Sequence, residues 1–197
     1  MNFANRLENS LRGIMEEVSD EKEQWFIDRT SKHIKLVQAA VNKIAEAYPE
    51  FAELEQQAAE HDATKFQEPE YTPYISISWR YKIGDRSGGT EAEKAAENKA
   101  TIHHVTTNSH HPEYHLKNKE DANISKNDRD KSDKVVDASG MPDIDVAEMV
   151  ADWQAMSEEL KKNTAREWYN QQKDVRWHFS KEQDELINKL LAVFENV

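Results

Sequence analysis

The sequence contains no cysteine, and this absence excludes several kinds of chemistry. Disulfide bonds, zinc sites built from thiolates and cysteine nucleophiles are all impossible in its 197 residues. Long apolar runs are also missing, since no stretch approaches the roughly 18 residues of a membrane-spanning helix. The first residues, MNFANRLENS, lack the apolar centre of a signal peptide. We therefore expect a cytoplasmic protein with no membrane insertion.

Positive charge is in short supply. The chain has 26 Lys and Arg residues against 38 Asp and Glu, which gives a net charge of −12. Binding to a nucleic-acid backbone depends on a local excess of positive charge, so we expect no stable nucleic-acid complex. A small anionic substrate remains compatible with this charge if a local cluster of cationic groups or metal ions holds it. The oligomeric state is left open.

Hydrophobic periodicity predicts an all-α fold in one domain over residues 1–197, with its core at about 25–170. The predicted helices lie at 2–19, at 20–48 with Asp20 as N-cap, at 49–60, from a Thr90–Glu93 capping box to about Asn108, from Asp145 to Leu160, at 163–172 and at 180–195. We expect residues 2–19 to dock as a separate flap. Residues 66–83 fit either a strand or, as we favour, an irregular or short helical segment. Residues 117–140 are mostly charged or small, which predicts a mobile insertion loop, with a substrate lid as the alternative.

Histidine is concentrated in one part of the chain. Five of the eight histidines lie within the thirteen residues 103–115, namely His103, His104, His110, His111 and His115. A helix that ends near Asn108 and reverses before Pro112 would direct several imidazoles to one point. A histidine-rich surface tract is the alternative.

Two earlier features are candidates for the same site. His33 lies on the apolar stripe of its predicted helix, where it is either a ligand or a core histidine bonded to the backbone. His61 and Asp62 are adjacent at a helix end, and together they offer the imidazole and carboxylate that a borderline divalent metal binds. Their alternative is an exposed surface pair.

Asp152 is predicted to face inward, because it lies at helical spacing between Met149 and Met156. A buried carboxylate needs a cation, which a metal or a Lys or Arg side chain would supply. Glu148, one turn earlier, is a candidate for a residue that contacts the metal ligands without binding the metal itself.

The order His33, His61-Asp62 and Asp152 resembles the HD-domain superfamily of metal-dependent phosphohydrolases. The resemblance implies an HD-like helical bundle that holds one or two divalent ions, with Fe, Mn, Co, Ni, Mg and Zn all open. Two-metal members use additional histidines, matched here by one of His103 and His104, of which we favour His104, and by His110 and His111. The predicted metal ligands are therefore His33, His61, Asp62, His104, His110, His111 and Asp152.

Lys65 completes an HDxxK arrangement that resembles the branch with cyclic-dinucleotide phosphodiesterases, in which the lysine contacts substrate phosphate. The sequence differs from that branch by having Pro112-Glu113-Tyr114-His115 where a Gly-Tyr-Pro element stands. The strings HDATKF, NSHHPEYH and EMVADW resemble a group of phage and bacterial HD-like proteins instead.

The resemblance implies hydrolysis of a phosphate ester or anhydride through a hydroxide that the metal activates, with a nucleotide as the expected small anionic substrate. The catalytic candidates are Asp62 as bridging ligand, Lys65 as phosphate contact and Glu113 for orientation or proton transfer. Asn108, Tyr114 and His115 are further candidates for orientation or proton transfer. Two alternatives are an HD-like diiron oxygenase of the myo-inositol oxygenase type and a metal-stabilised binding protein without turnover.

Overall fold

The computed structural model describes residues 3–122 and 135–195, and it describes residues 3–18 by their backbone alone. These residues form an all-α fold, as predicted. Its helices are α1 (Phe3–Ala47), α2 (Leu54–Ala58), α3 (Tyr71–Ile83), α4 (Glu91–Thr107), α5 (Asp143–Leu160), α6 (Ala165–Gln172) and α7 (Lys181–Leu191). Short 3-10 turns lie at Pro49–Phe51, Ala63–Phe66, Pro112–His115, Lys119–Asp121 and Ala192–Phe194. No helix in this described part combines the length and apolar character needed to cross a bilayer.

Helix α1 is continuous, so the predicted break at Asp20 is wrong. Asp20 lies within a run of Glu, Lys and Gln residues, which favour helix and contain no proline to stop it. The side-chain packing of residues 2–19 as a flap lies outside the described residues and stays a prediction.

Helix α5 is the centre of the main core. It is buried from Asp145 to Ala151 and packs against α1, α2, α6 and α7. Val37, Val41 and Ile44 of α1 face it, and Ile187 and Leu190 of α7 join the same cluster. A smaller cluster of Phe26, Tyr74 and Ala100 connects α1, α3 and α4. The two clusters hold α1, α4 and α5 around the region described below.

Helices α3 and α4 follow the sequence closely. The favoured helical interpretation of residues 66–83 is confirmed, and the strand alternative is wrong, because Tyr74 and Ser78 are buried at helical spacing. Helix α4 begins at the predicted Thr90–Glu93 capping box and ends at Thr107, beside the predicted stop at Asn108.

The stretch 117–140 is more structured at its ends than predicted. Strand β1 (Val136–Asp137) pairs in parallel with β2 (Trp177–His178), and Val136 N donates to Arg176 O at 2.8 Å. Val136 and Ala138 are buried. The prediction of a loop is therefore wrong here, because an apolar pair at the end of a charged run can join the core. Residues 123–134 lie outside the described residues, and the lid stays a prediction.

Candidate metal centre

The seven predicted ligands converge on one place in the structure. Helix α1 supplies His33, the turn after α2 supplies His61 and Asp62, and α5 supplies Asp152. Helix α4 and the segment that follows it supply the other three histidines. The possible ligand atoms form three groups in which all atoms lie within 4.8 Å of one another: His104, His110 and His111; His33, His61 and Asp152; and His61, Asp62 and His110.

Asp62 lies between the other ligands, and its two carboxylate oxygens face different sets of imidazoles. Its Oδ1 is 3.2 Å from His104 Nε2 and 3.9 Å from His110 Nε2. Its Oδ2 is 3.8 Å from His33 Nε2 and 3.7 Å from His61 Nε2. A carboxylate in this position is able to bridge two cations.

The local backbone explains how His61 and Asp62 both point inward. After α2 the His61 amide donates to Ala58 O at 3.3 Å, and Asp62 then adopts the left-handed conformation with φ 59°. Aspartate tolerates this region better than most residues with a side chain. Both residues are buried, so the interpretation of an exposed surface pair is wrong.

Three glutamates lie behind the histidines, and two of them hydrogen bond to the rings. His61 Nδ1 donates to Glu148 at 2.8 Å, and His104 Nδ1 donates to Glu70 at 2.9 Å. Glu159 Oε2 is 3.4 Å from His33 Nδ1. The hydrogen bonds of His61 and His104 engage Nδ1 and leave Nε2 facing the ligand cluster, an arrangement typical of metal-bound histidines.

Of these glutamates, the sequence had indicated Glu148 alone. Glu159 could have been predicted from its spacing. Glu148, Asp152 and Glu159 are separated by four and seven residues, so they share one face of α5. Glu70 is fully buried just before α3, where no periodicity marks it.

Several ligand atoms are buried without a hydrogen-bond partner among the described residues. They are His61 Nε2, Asp62 Oδ1 and His111 Nε2. Buried polar atoms without partners are costly, and divalent cations bound at the ligand groups would satisfy them. The residues therefore fit a metal centre. The many nitrogen ligands suit iron, cobalt, nickel or zinc better than magnesium, which prefers oxygen.

The electrostatics keep the acidic ligands ionised. Burial raises the pKa of Asp62, but Lys65, His61 and His104 outweigh burial and hold that pKa well below its usual range. Lys65 Nζ lies 2.5 Å from Asp62 Oδ2. Burial lowers the pKa of Lys65, and the charge of Asp62 reverses this effect and raises it.

The histidines divide into two kinds. Burial and the neighbouring imidazoles lower the pKa of His110 and His111 well below the usual range, which keeps them in the neutral form that binds metal. Burial also lowers the pKa of His33, but its contacts with Asp152 and Glu159 raise it to about 9. These side-chain partners replace the backbone bond considered for a core histidine.

A cavity of about 550 Å³ opens onto this cluster. Its wall includes Lys65, whose side chain is 19% exposed, together with Asp62 and Asp152. The volume lies within the range of roughly 300–1,000 Å³ that small-molecule sites occupy. The wall also includes Trp168, Arg176 and Trp177.

The remaining candidates lie around this centre. His103 is more exposed, bonds to Glu70 at 2.7 Å and belongs to none of the three groups, so His104 occupies the inward position. Asn108 Nδ2 donates to Thr64 Oγ1 at 2.9 Å, and His115 Nε2 donates to Ser109 O at 2.8 Å. Tyr114 is 38% exposed.

The side chain of Glu113 contacts Arg176 and Trp177, whereas a catalytic role would have predicted contacts with the metal ligands. It is buried, and its Oε1 accepts hydrogen bonds from Arg176 Nη2 at 3.2 Å and from Trp177 Nε1 at 3.1 Å. It is a member of none of the three ligand groups. These contacts give Glu113 the position of a residue that fixes Arg176.

Comparison with known proteins places the chain in a described family. A family model described as a family of unknown function (DUF5662) matches residues 22–193, which include every predicted ligand. Neither the curated proteins nor the solved structures gave a match.

Proposed function

We propose that this chain, which belongs to the DUF5662 family, is a metal-dependent phosphohydrolase that cleaves a phosphate ester or anhydride of a nucleotide. The observation that carries the proposal is the position of Asp62, whose two oxygens face two separate sets of imidazoles. The resemblance of His33, His61-Asp62 and Asp152 to the HD-domain superfamily supports the same reaction class.

Two sets of residues would hold the metal. His33, His61 and Asp152 would bind on one side of Asp62, and the three histidines from 104 to 111 would bind on the other. When bound, divalent cations polarise phosphoryl oxygens and lower the pKa of water. Glu148 keeps His61 in the tautomer with a free Nε2.

Lys65 is the residue best placed to act on the substrate itself. It lies in the cavity wall beside Asp62, and its raised pKa keeps the ammonium group charged. A fixed positive charge next to a phosphoryl group stabilises the negative charge that develops there during transfer. Lys65 would also orient the phosphate toward the metal ligands.

A metal and activity screen tests the proposal. Elemental analysis of the purified protein is expected to find transition metal at one or two ions per chain. Phosphate or nitrophenol release is then measured from nucleotides and from bis(p-nitrophenyl) phosphate with manganese, cobalt or magnesium.

We predict that Lys65→Ala lowers kcat by roughly 100-fold or more while the metal content is retained, because a preorganised charge at the reacting group is lost. Lys181→Ala is the matched control, since Lys181 is an exposed lysine at the start of α7. Equal rates for the wild type and Lys65→Ala would refute the role of Lys65, and a metal-loaded protein inactive on every phosphate substrate would refute hydrolysis.

The nitrogen-rich ligand set also favours one competing function. Iron is well suited to these imidazoles and carboxylates, as in diiron oxygenases. An oxygen-sensitive, mixed-valent iron pair with substrate-dependent oxygen uptake would assign the protein to that class. The third candidate is the metal-stabilised binding protein. It would be indicated if the protein turned over no substrate and its biological function were unchanged in Lys65→Ala.

A further inference from the structure

The wall of the cavity includes a buried arginine that the proposed reaction does not use. Arg176 is 7% exposed, and it lies in the cavity wall with Trp168 and Trp177. Its backbone is fixed, because Arg176 N donates to Gln172 O and Arg176 O accepts from Val136 N, both at 2.8 Å. A buried arginine at a fixed point in a cavity is a candidate for ligand recognition.

The guanidinium group is held by an aromatic stack and by one carboxylate. Trp153 stacks on Tyr169 with 5.8 Å between centroids and on Trp177 with 5.6 Å. The guanidinium carbon of Arg176 lies 4.4 Å from the Trp177 ring centroid. Glu113 accepts from Arg176 Nη2 and from the Trp177 indole, so it orients both groups.

Arg176 retains donors for a ligand. A guanidinium carries five N–H donors and no acceptor. Among residues 19–122 and 135–195, Glu113 is the side chain that accepts from it, and Arg176 Nε is buried without a partner. Part of the guanidinium is thus available to a group that carries acceptors.

Glu113 connects Arg176 to the segment that carries the metal ligands. Glu113 follows the predicted ligand His111 by two residues in the turn Pro112–His115. Two residues span at most about 7 Å of chain, so the side chain that holds Arg176 starts close to the backbone of a predicted ligand. A nucleotide could place its phosphate beside Lys65 and its base beside Arg176.

Charge and shape select the type of group that Arg176 would bind. The pair of Arg176 and Glu113 is already neutral, so a second buried anion would lack a countercharge. A neutral carbonyl oxygen or ring nitrogen carries no such cost. Trp168 in the same wall supplies a planar apolar surface, which suits an aromatic base.

We propose that Arg176, fixed by Glu113 and Trp177, binds the base of the nucleotide substrate and selects guanine over adenine. This inference rests on the proposed function, because it takes the bound nucleotide to be the substrate of the reaction. Guanine presents two adjacent acceptors, O6 and N7, to a guanidinium, whereas adenine presents an amino donor in place of O6. Glu113 is a positioning residue in this arrangement.

Binding measurements on the metal-loaded protein test the selectivity. GMP, AMP and ribose 5-phosphate are titrated calorimetrically into the wild type and into Arg176→Gln, with phosphate release followed in the same samples. The wild type is expected to bind GMP roughly tenfold or more tightly than AMP, which is the value of a good bidentate contact. Arg176→Gln should abolish this ratio and leave the affinity for ribose 5-phosphate unchanged.

Further variants separate recognition from folding. Arg176→Lys keeps the charge opposite Glu113 but lacks the planar fork, so it should fold and lose the preference for GMP. Glu113→Gln should weaken the preference and leave the affinity for ribose 5-phosphate unchanged. Arg166→Gln is the matched control, because Arg166 bonds to Asn188 at 2.7 Å and lies outside the cavity wall.

The outcomes distinguish this inference from the proposed function. A wild type that binds GMP and AMP equally, or an Arg176→Gln or Arg176→Lys variant that folds and keeps the preference, would overturn the inference while hydrolysis stands. An Arg176-dependent preference for GMP without phosphate release from any substrate would refute hydrolysis and leave the base-binding site.

Discussion

At the scale of single residues, the site depends on pairs in which one side chain fixes another. Asp62 has neighbours on both oxygens, and the histidines around it are oriented by carboxylates on their far sides. Such outer carboxylates decide which nitrogen of the ring is free and how basic it is. Metal affinity should therefore depend on residues that never touch the metal.

We predict that Glu148→Gln weakens metal binding by roughly 10- to 100-fold, because His61 loses the charged acceptor of its Nδ1 proton. The measurement is a metal titration against a competing chelator. Glu158→Gln, on an exposed position of the same helix, is the control and should bind metal like the wild type. Unchanged affinity in Glu148→Gln would show that Glu148 does not orient the ligand.

The sequence predicted most of the candidate ligands, but it did not predict which side chains contact each other. His33, His61, Asp62 and Asp152 were indicated by adjacency or helical spacing. Glu70 and Arg176 were missed, because each acquires its partner from a distant segment and neither lies in a periodic pattern. Glu113 was selected as catalytic because it is close to the histidines in sequence, although its side chain faces Arg176.

At the scale of elements, short turns and strands position residues of the cavity, and the long helices support these segments. The turn Ala63–Phe66, the turn Pro112–His115 and the strand pair each carry or fix residues of the cavity. Capping signals predicted where α4 begins and proline predicted the reversal after it. The strand pair could not be predicted, because Val136 and Trp177 are brought together by packing across the whole domain.

Contacts between elements also make stability depend on pH. Burial, together with the hydrogen bond that Tyr169 of α6 donates to Asp184 of α7, raises the pKa of the Tyr169 hydroxyl. A raised pKa in the folded state stabilises the fold below the unfolded value of about 10, and this contribution is lost as the pH rises further. Tyr169→Phe removes this contribution to stability at every pH, because phenylalanine has no hydroxyl.

We predict that Tyr169→Phe is less stable than the wild type by about 1.5–3 kcal/mol at about pH 8, and that the difference shrinks toward about pH 11. Urea unfolding at a series of pH values measures the difference. Tyr48→Phe is the control, because the Tyr48 hydroxyl makes no hydrogen bond to the described residues. A difference that stays constant with pH would contradict this account of the α6–α7 contact.

At the scale of the whole molecule, the candidate metal centre connects α1, α4 and α5 between two apolar clusters. The main cluster lies mostly on α1, α5 and α7 and contains none of the ligands. The all-α architecture was predictable because such clusters follow helical periodicity. The convergence of the ligands depends on how the helices pack, which periodicity does not specify.

We predict that removal of metal lowers the melting temperature but leaves the helices formed. A ligand that binds only the folded state at a free concentration of about 100 times its Kd contributes about 2.7 kcal/mol. Calorimetry with and without chelator, with circular dichroism at low temperature, measures both quantities. A melting temperature independent of metal concentration would exclude a site that binds metal in the folded state.

The wide spacing of the ligands along the chain has a consequence for biosynthesis. His33 and Asp152 belong to the same ligand group, although they are 119 positions apart in the sequence. A nascent polypeptide cannot complete this group until α5 has left the ribosome. Metal binding by this group must therefore follow translation of Asp152, whereas the group of His104, His110 and His111 is complete earlier in the chain.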